Sequence, residues 1–225
     1  AFHFTSHENP HISAEAIHNL TYDMTALAIR QEIEAEDIDE VPGALWTRAM
    51  IEQGRVEKAP EKLSRVVIGV DPPGGATECG IVAVGLGDNR HAYVLADRTL
   101  KASPDRWAGA VIDLYVDLKA DRIIGEKNFG GDMVESTIRG AAAARGIPVA
   151  YEDVNASRGK AVRAEPIVAQ YEQGRIHHVG SLPRLEDELT SWIPGQSGDS
   201  PNRMDALVWA ATKLISGGTP ELRFI

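Results

Sequence analysis

Arg65-Val66-Val67-Ile68-Gly69-Val70-Asp71, followed at once by Pro72-Pro73-Gly74-Gly75, is the stretch on which the fold turns. Four of these residues are apolar and β-branched, which favours a buried strand. The paired prolines stop that strand, because proline brings no N–H to a strand ladder. The strand therefore ends on an acid. Arg122-Ile123-Ile124-Gly125-Glu126 repeats the pattern. A third acid lies in Ser200-Pro201-Asn202-Arg203-Met204-Asp205-Ala206-Leu207-Val208-Trp209, which reads as the start of a C-terminal helix. Three carboxylates from distant parts of the chain, all on buried elements, suit hard divalent cations and point to metal-assisted phosphodiester chemistry. Each also has a plainer reading. Asp71 can form a turn, Glu126 can pair with Lys127 or Arg122, and Asp205 can complement a helix dipole.

Working outward, strands are expected at 65–71, 80–87 and 91–96, with Asp88-Asn89 turning the second into the third. Ser103-Pro104-Asp105 supplies a cap, a first-turn proline and a first-turn acid for a helix reaching about Lys119. Its apolar residues Trp107, Val111, Leu114 and Leu118 fall at helical spacing. A strand at 122–126 follows, then a helix from Gly130-Gly131-Asp132 to near Arg145-Gly146. Next come a strand at 148–151, a helix over about 161–172 and a last long helix over about 203–215. Three antiparallel strands followed by strand–helix crossovers predict an α/β fold, a mixed sheet with helices on both faces. The first strand would lie centrally with the fourth parallel beside it. Asp71 and Glu126 would then meet at the carboxyl ends of the strands, where open sheets place ligands. The final helix would supply Asp205 from the side.

At 225 residues the chain can bury one sizeable core and carry an appendage. No apolar run reaches the roughly 18 residues of a membrane span, and no signal-peptide pattern opens the chain. A cytoplasmic protein with no membrane partner is expected. A lone cysteine, Cys79, excludes an internal disulfide and a thiolate zinc cluster, and reads as a small buried hydrophobe. The net charge of -10 gives no support to general nucleic-acid binding. It is unevenly spread: residues 1–63 carry 12 acidic and 5 basic side chains, residues 64–225 carry 21 and 18. Residues 1–63 read as a linker or arm and residues 64–225 as the globular domain. The chain begins with Ala rather than Met and reads as a piece of a longer protein.

Five segments then occur in a telling order: Val67-Ile68-Gly69-Val70-Asp71-Pro72; Gly125-Glu126-Lys127-Asn128-Phe129-Gly130-Gly131; Arg158-Gly159-Lys160-Ala161-Val162-Arg163-Ala164-Glu165-Pro166; Tyr171-Glu172-Gln173-Gly174-Arg175-Ile176-His177-His178; and Asp199 to Ala210. Together they resemble the ribonuclease-H-like nuclease domain of the large terminase subunit of tailed double-stranded DNA phages. The resemblance implies an endonuclease that cuts concatemeric viral DNA during genome packaging. It implies Mg²⁺ or Mn²⁺, two ions held by Asp71, Glu126 and Asp205, with hydrolysis leaving a 5′-phosphate and a 3′-hydroxyl. In the family's longer proteins an ATPase domain precedes this region, and the portal and a small terminase subunit are partners. No G-x-x-x-x-G-K-[ST] segment occurs, so no ATP hydrolysis is expected of this chain. Asn202 stands where the family often has Asp. A neutral amide is a weaker hard-metal ligand, so Asn202 is expected to be accessory.

Arg158, Lys160 and Arg163 form the densest basic cluster, which reads as phosphate contact or as a solvated face. Asn128, before Phe129-Gly130-Gly131, reads as a point of backbone approach to double-stranded DNA or as an ordinary strand-to-helix turn. His177 and His178 are expected on a short strand with opposite faces, and Trp107 and Trp209 in the core. Glu78 reads as a surface acid, and Glu165, Glu186, Asp187 and Glu188 as solvated helix acids. The same three carboxylates would serve a resolvase or transposase-type ribonuclease-H-like nuclease. A non-catalytic docking module of a packaging motor, its acids holding a structural cation, is the alternative of a different class.

Overall fold

The structure is a computed structural model, and it describes residues 13, 41–74, 77–127, 131–156, 158–196 and 200–216. In chain order its elements are α1 (Arg48–Gly54), β1 (Leu63–Asp71), β2 (Gly80–Gly87), β3 (Ala92–Asp97), α2 (Pro104–Asp117), β4 (Arg122–Glu126), α3 (Gly131–Ala143), β5 (Tyr151–Val154), α4 (Lys160–Glu172), β6 (Ile176–His178), α5 (Pro183–Ser191) and α6 (Asn202–Ser216).

The six strands form one sheet in the order β5-β4-β1-β2-β3-β6. β1 runs antiparallel to β2, and β2 antiparallel to β3. β4 lies parallel to β1, β5 parallel to β4, and β6 parallel to β3. The expected mixed sheet with a central first strand is what forms. Because side chains alternate along a strand, the central strands feed two cores. Val67, Val82, Val84 and Ile124 pack beneath α4, α5 and α6. Val66, Ile68, Val70, Ile81, Ala83 and Ile123 pack against α2 and α3. This double burial explains the unbroken apolar runs of β1 and β4.

Several elements depart from expectation in instructive ways. Ser103 occupies the N-cap of α2 but its side chain makes no cap hydrogen bond. That helix ends at Asp117, and Lys119 beyond it takes a positive φ of 49°. β5 is Tyr151–Val154 rather than 148–151. Ile147 and Val149 instead cover the α2–α3 core from a loop. The edge strand is partly exposed, and its Glu152 pairs with Arg122 and Lys213.

Glu186 is not a solvated acid: it is 2% exposed, beside fully buried His178. His178 Nδ1 lies 2.9 Å from Glu186 Oε1, and its Nε2 lies 2.8 Å from the Tyr171 hydroxyl. Arg55 donates to both Glu186 oxygens at 2.8 and 3.0 Å. Trp46 and Ile51, ahead of β1, are buried in the same core as α4 to α6. Trp46 meets Tyr171 edge-on, with ring centroids 6.2 Å apart. His177 and His178 do face opposite ways, since His177 stacks on His91 and Tyr93. Among the described residues no helix is long and apolar enough to cross a membrane.

Candidate active site

Val70 of β1 and Gly125 of β4 are register partners. The next residue on each strand, Asp71 and Glu126, therefore stand side by side at the carboxyl end of the sheet. Both belong to the α6 side by alternation, since Val67 and Ile124 of the same columns lie in the core under α6.

Glycine lets α6 come down onto these strands. A Cβ on Gly69 would lie 1.9 Å from the Ala206 carbonyl oxygen, and one on Gly80 would lie 2.0 Å from that of Asn202. Only a residue without a side chain permits that approach. Asn202, Ala206 and Ala210, spaced by one turn each, thus form the stripe that lies on the sheet. Asp205 and Trp209, also one turn apart, then reach toward β4 and α4.

The first turn of α6 is pinned from three sides. Arg203, 6% exposed, pairs with Glu78 at 2.5 Å, Asp97 at 3.0 Å and Glu188 at 3.4 Å. Glu188 also accepts from the Met204 backbone N–H at 2.9 Å. Burial pushes the Glu188 carboxyl up to about 7 against the pull of those partners. Neither Glu78 nor Glu188 is the free surface acid expected from sequence. Asn202 donates through Nδ2 to the Glu78 carbonyl at 2.7 Å, so its amide is committed to the fold.

Asp71, Glu126 and Asp205 are all buried. Burial, then the negative charges of Asp205 and Glu126, push the Asp71 carboxyl up to about 8. A hydrogen bond to Glu126 adds a smaller push in the same direction. Burial also raises Asp205, although Lys160 and Arg163 pull it down. Lys160 Nζ lies 2.5 Å from Asp205 Oδ2 and 2.9 Å from Ser200 Oγ. Arg163 reaches Asp205 at 3.2 Å and Glu126 at 3.6 Å. Trp209 Nε1 donates to Glu126 Oε2 at 3.0 Å.

Among the described residues no three Asp, Glu, His or Cys side chains enclose a single point closely enough to hold a metal ion as they stand. Lys160 and Arg163 hold Asp205, while Asp71 turns toward Glu126. The donor set nevertheless fits a hard cation: three buried carboxylates, no thiolate and no imidazole. Two basic side chains face three acids, and burial together with the neighbouring acids opposes ionisation of Asp71. A cation would relieve that repulsion.

Beside the acids lies a cavity of about 300 Å³. Asp71, Glu126, Lys160 and Ser200 form its polar end, and Pro72, Trp107 and Met133 contribute to its apolar end. Of the other sequence candidates, Arg158 is exposed ahead of α4. Asn128 lies outside the described residues. Sequence reasoning missed the polar role of Trp209, which it placed in the core; its spacing of four from Asp205 was the available signal. It also missed Arg203, whose three acidic partners are distant in the chain.

Fold and site define a ribonuclease-H-like protein with an acidic centre at the carboxyl ends of its central strands. The profile of the terminase RNaseH-like domain matches residues 68–214, and the chain belongs to that family. No curated protein matches it in sequence. Solved structures with the same fold include the nuclease domain of the large terminase subunit gp2 of bacterial virus Sf6. That structure has 14% identity and a TM-score of 0.57, over 75% of this chain and 98% of the other. A mutant of the same domain has been solved with manganese, at 15% identity and a TM-score of 0.56, over 75% and 98% of the two chains. The large terminase nuclease from thermophilic phage G20c, with bound magnesium, gives 12% identity and a TM-score of 0.55, over 77% and 98%.

Proposed function

We propose that this chain is a divalent-metal-dependent endodeoxyribonuclease that cuts double-stranded concatemeric viral DNA during genome packaging. The observation that carries this reading is that buried Asp71 and Glu126 end two adjacent strands and line a cavity, while buried Asp205 of α6 is joined to Glu126 through Arg163. The family and the metals in the Sf6 and G20c structures support it.

In this reading Asp71, Glu126 and Asp205 would together hold two Mg²⁺ or Mn²⁺ ions. Bound there, the ions would lower the pKa of the attacking water and neutralise the leaving oxygen. The chain's own groups do the rest. β1, β4 and α6 fix the backbones of Asp71, Glu126 and Asp205, so ion binding would need only side-chain turns, Asp205 away from Lys160 and Asp71 away from Glu126. Lys160, partly exposed at the cavity mouth, meets the phosphate, and Arg158 contacts the backbone farther out. No side chain is needed as a covalent nucleophile. DNA affinity is weak, salt-sensitive and indifferent to sequence. In the longer protein an ATPase domain would precede this chain, and the portal and small terminase subunit would present the DNA; the arm expected over 1–63 is cut short, because Trp46 and Ile51 belong to the domain core.

The test is supercoiled plasmid incubated with the chain in Mn²⁺, with and without EDTA. Nicking that EDTA and Asp71→Ala both abolish supports the proposal. Absence of cutting by folded protein at every metal concentration, in Mg²⁺ and Mn²⁺ alike, refutes it.

A further inference from the structure

Arg163 carries an observation that phosphate contact does not explain. Its side chain is only 11% exposed and faces the acids rather than solvent. The guanidinium lies 4.4 Å over the Trp209 ring, a cation–π distance. Its Nε and Nη1 have no hydrogen-bond partner although both are buried. Trp209, against which it stacks, donates to Glu126 Oε2. Arg163 Nη1 lies 3.6 Å from that same oxygen, and Nη2 lies 3.2 Å from Asp205 Oδ1. The indole and the guanidinium therefore act on one oxygen of Glu126 from α6 and α4.

We propose that Arg163 and Trp209 form a stacked pair that positions Glu126 and Asp205 for cation binding, Arg163 being a positioning residue rather than a DNA contact. The inference rests on the proposed function. The planar guanidinium spans from Glu126 to Asp205, which a flexible ammonium cannot do while stacked. Trp209 holds the guanidinium against its ring, 4.4 Å from the centroid. Groups that orient metal-binding side chains commonly alter metal affinity by 10–100-fold when removed.

The test uses the full chain and two charge-conserving variants. Trp209→Phe keeps an aromatic surface and removes the N–H donor. Arg163→Lys keeps the positive charge and removes the planar fork. Mn²⁺ binding is measured by calorimetric titration without DNA, and kcat and KM for plasmid nicking are measured separately. Each variant is expected to weaken Mn²⁺ binding about tenfold and to lower kcat, with KM for DNA within twofold of the parent. The double variant is expected to lose little more than either single one, because both act on the same carboxylate. Unchanged Mn²⁺ binding with a raised KM in Arg163→Lys overturns the inference and makes Arg163 a phosphate contact. A parent chain that binds no Mn²⁺ and cuts no DNA overturns the proposed function together with it. A parent that does both, with variants indistinguishable from it, overturns the inference alone. Should Trp209→Phe fail to fold, Arg163→Lys decides by itself.

Discussion

Replacing Gly69 with alanine tests how the site is assembled without touching any of its acids. The new Cβ would lie 1.9 Å from the Ala206 carbonyl oxygen. Ordinary carbon–oxygen contact begins at about 3.3 Å, so α6 must retreat by roughly 1.4 Å. The obstacle is helix backbone, which cannot rotate away as a side chain would. Overpacking of this kind costs typically 1–3 kcal/mol, and a rigid neighbour places it near the top of that range. For a chain of this size about 3 kcal/mol lowers the melting temperature by roughly 6–12 °C. Asp205 adjoins Ala206 and moves with it. A 1 Å misplacement of a catalytic group costs on the order of 100-fold in rate, so Mn²⁺-dependent nicking should fall at least that far at a temperature where the variant stays folded. Gly140→Ala is the control. It lies in α3 with nothing within 4 Å of its added Cβ, and should gain about 0.5–1 kcal/mol of stability with nicking unchanged. If Gly69→Ala melts within a degree of the parent and nicks as fast, the helix seat does not set the position of Asp205.

Asp71→Asn is expected to abolish nicking while the melting temperature holds or rises, because it removes a carboxyl whose ionisation is opposed first by burial and then by the neighbouring acids; a melting point several degrees lower would contradict that account. Burial alone would raise Glu186, but hydrogen bonds from His178 and Arg55 outweigh it and hold the carboxyl at about 2. A folded-state pKa below the unfolded one stabilises fully above about pH 4.3 and is lost as pH falls toward 2. Glu186→Gln should therefore cost about 3 kcal/mol at pH 7, with the gap to the parent narrowing in urea melts between pH 4.5 and 3; a gap independent of pH would refute the assignment. Trp46→Ala should cost about 3–5 kcal/mol, measured by chemical denaturation, because the residue is 1% exposed and packs on Tyr171. An unchanged midpoint would show that the segment before β1 is not part of the folded core.

The two strands that carry Asp71 and Glu126 were legible because local signals agreed. Each is an apolar run buried on both faces, closed by an acid, and Pro72-Pro73 marks the end of the first. α6 was legible from the apolar residues of its first turns and from Ser200-Pro201 ahead of it. β5 was not. The apolar letters lie at 147–150, whereas the strand itself is the polar edge segment Tyr-Glu-Asp-Val, fixed by its pairing to β4 and by Arg122 and Lys213. Glu186 and Glu188 look like solvated acids because their partners are remote. Arg55 lies 131 positions from Glu186, and Arg203 reaches Glu188 from the next helix. Trp209 reads as core because an indole's apolar area dominates its N–H in any sequence pattern. Only the carboxylate brought to it by β4 reveals the donor.

That Asp205 and Trp209 are successive rungs on one side of a single helix has a consequence for sequence drift. Each residue along an α-helix turns the azimuth by about 100°. Inserting one residue within the first turn of α6, between Asn202 and Asp205, would swing acid and indole together away from β4, provided Asn202 stays anchored on Gly80. Homologous chains should therefore tolerate length changes ahead of Ser200 far more readily than within the four positions that follow Pro201.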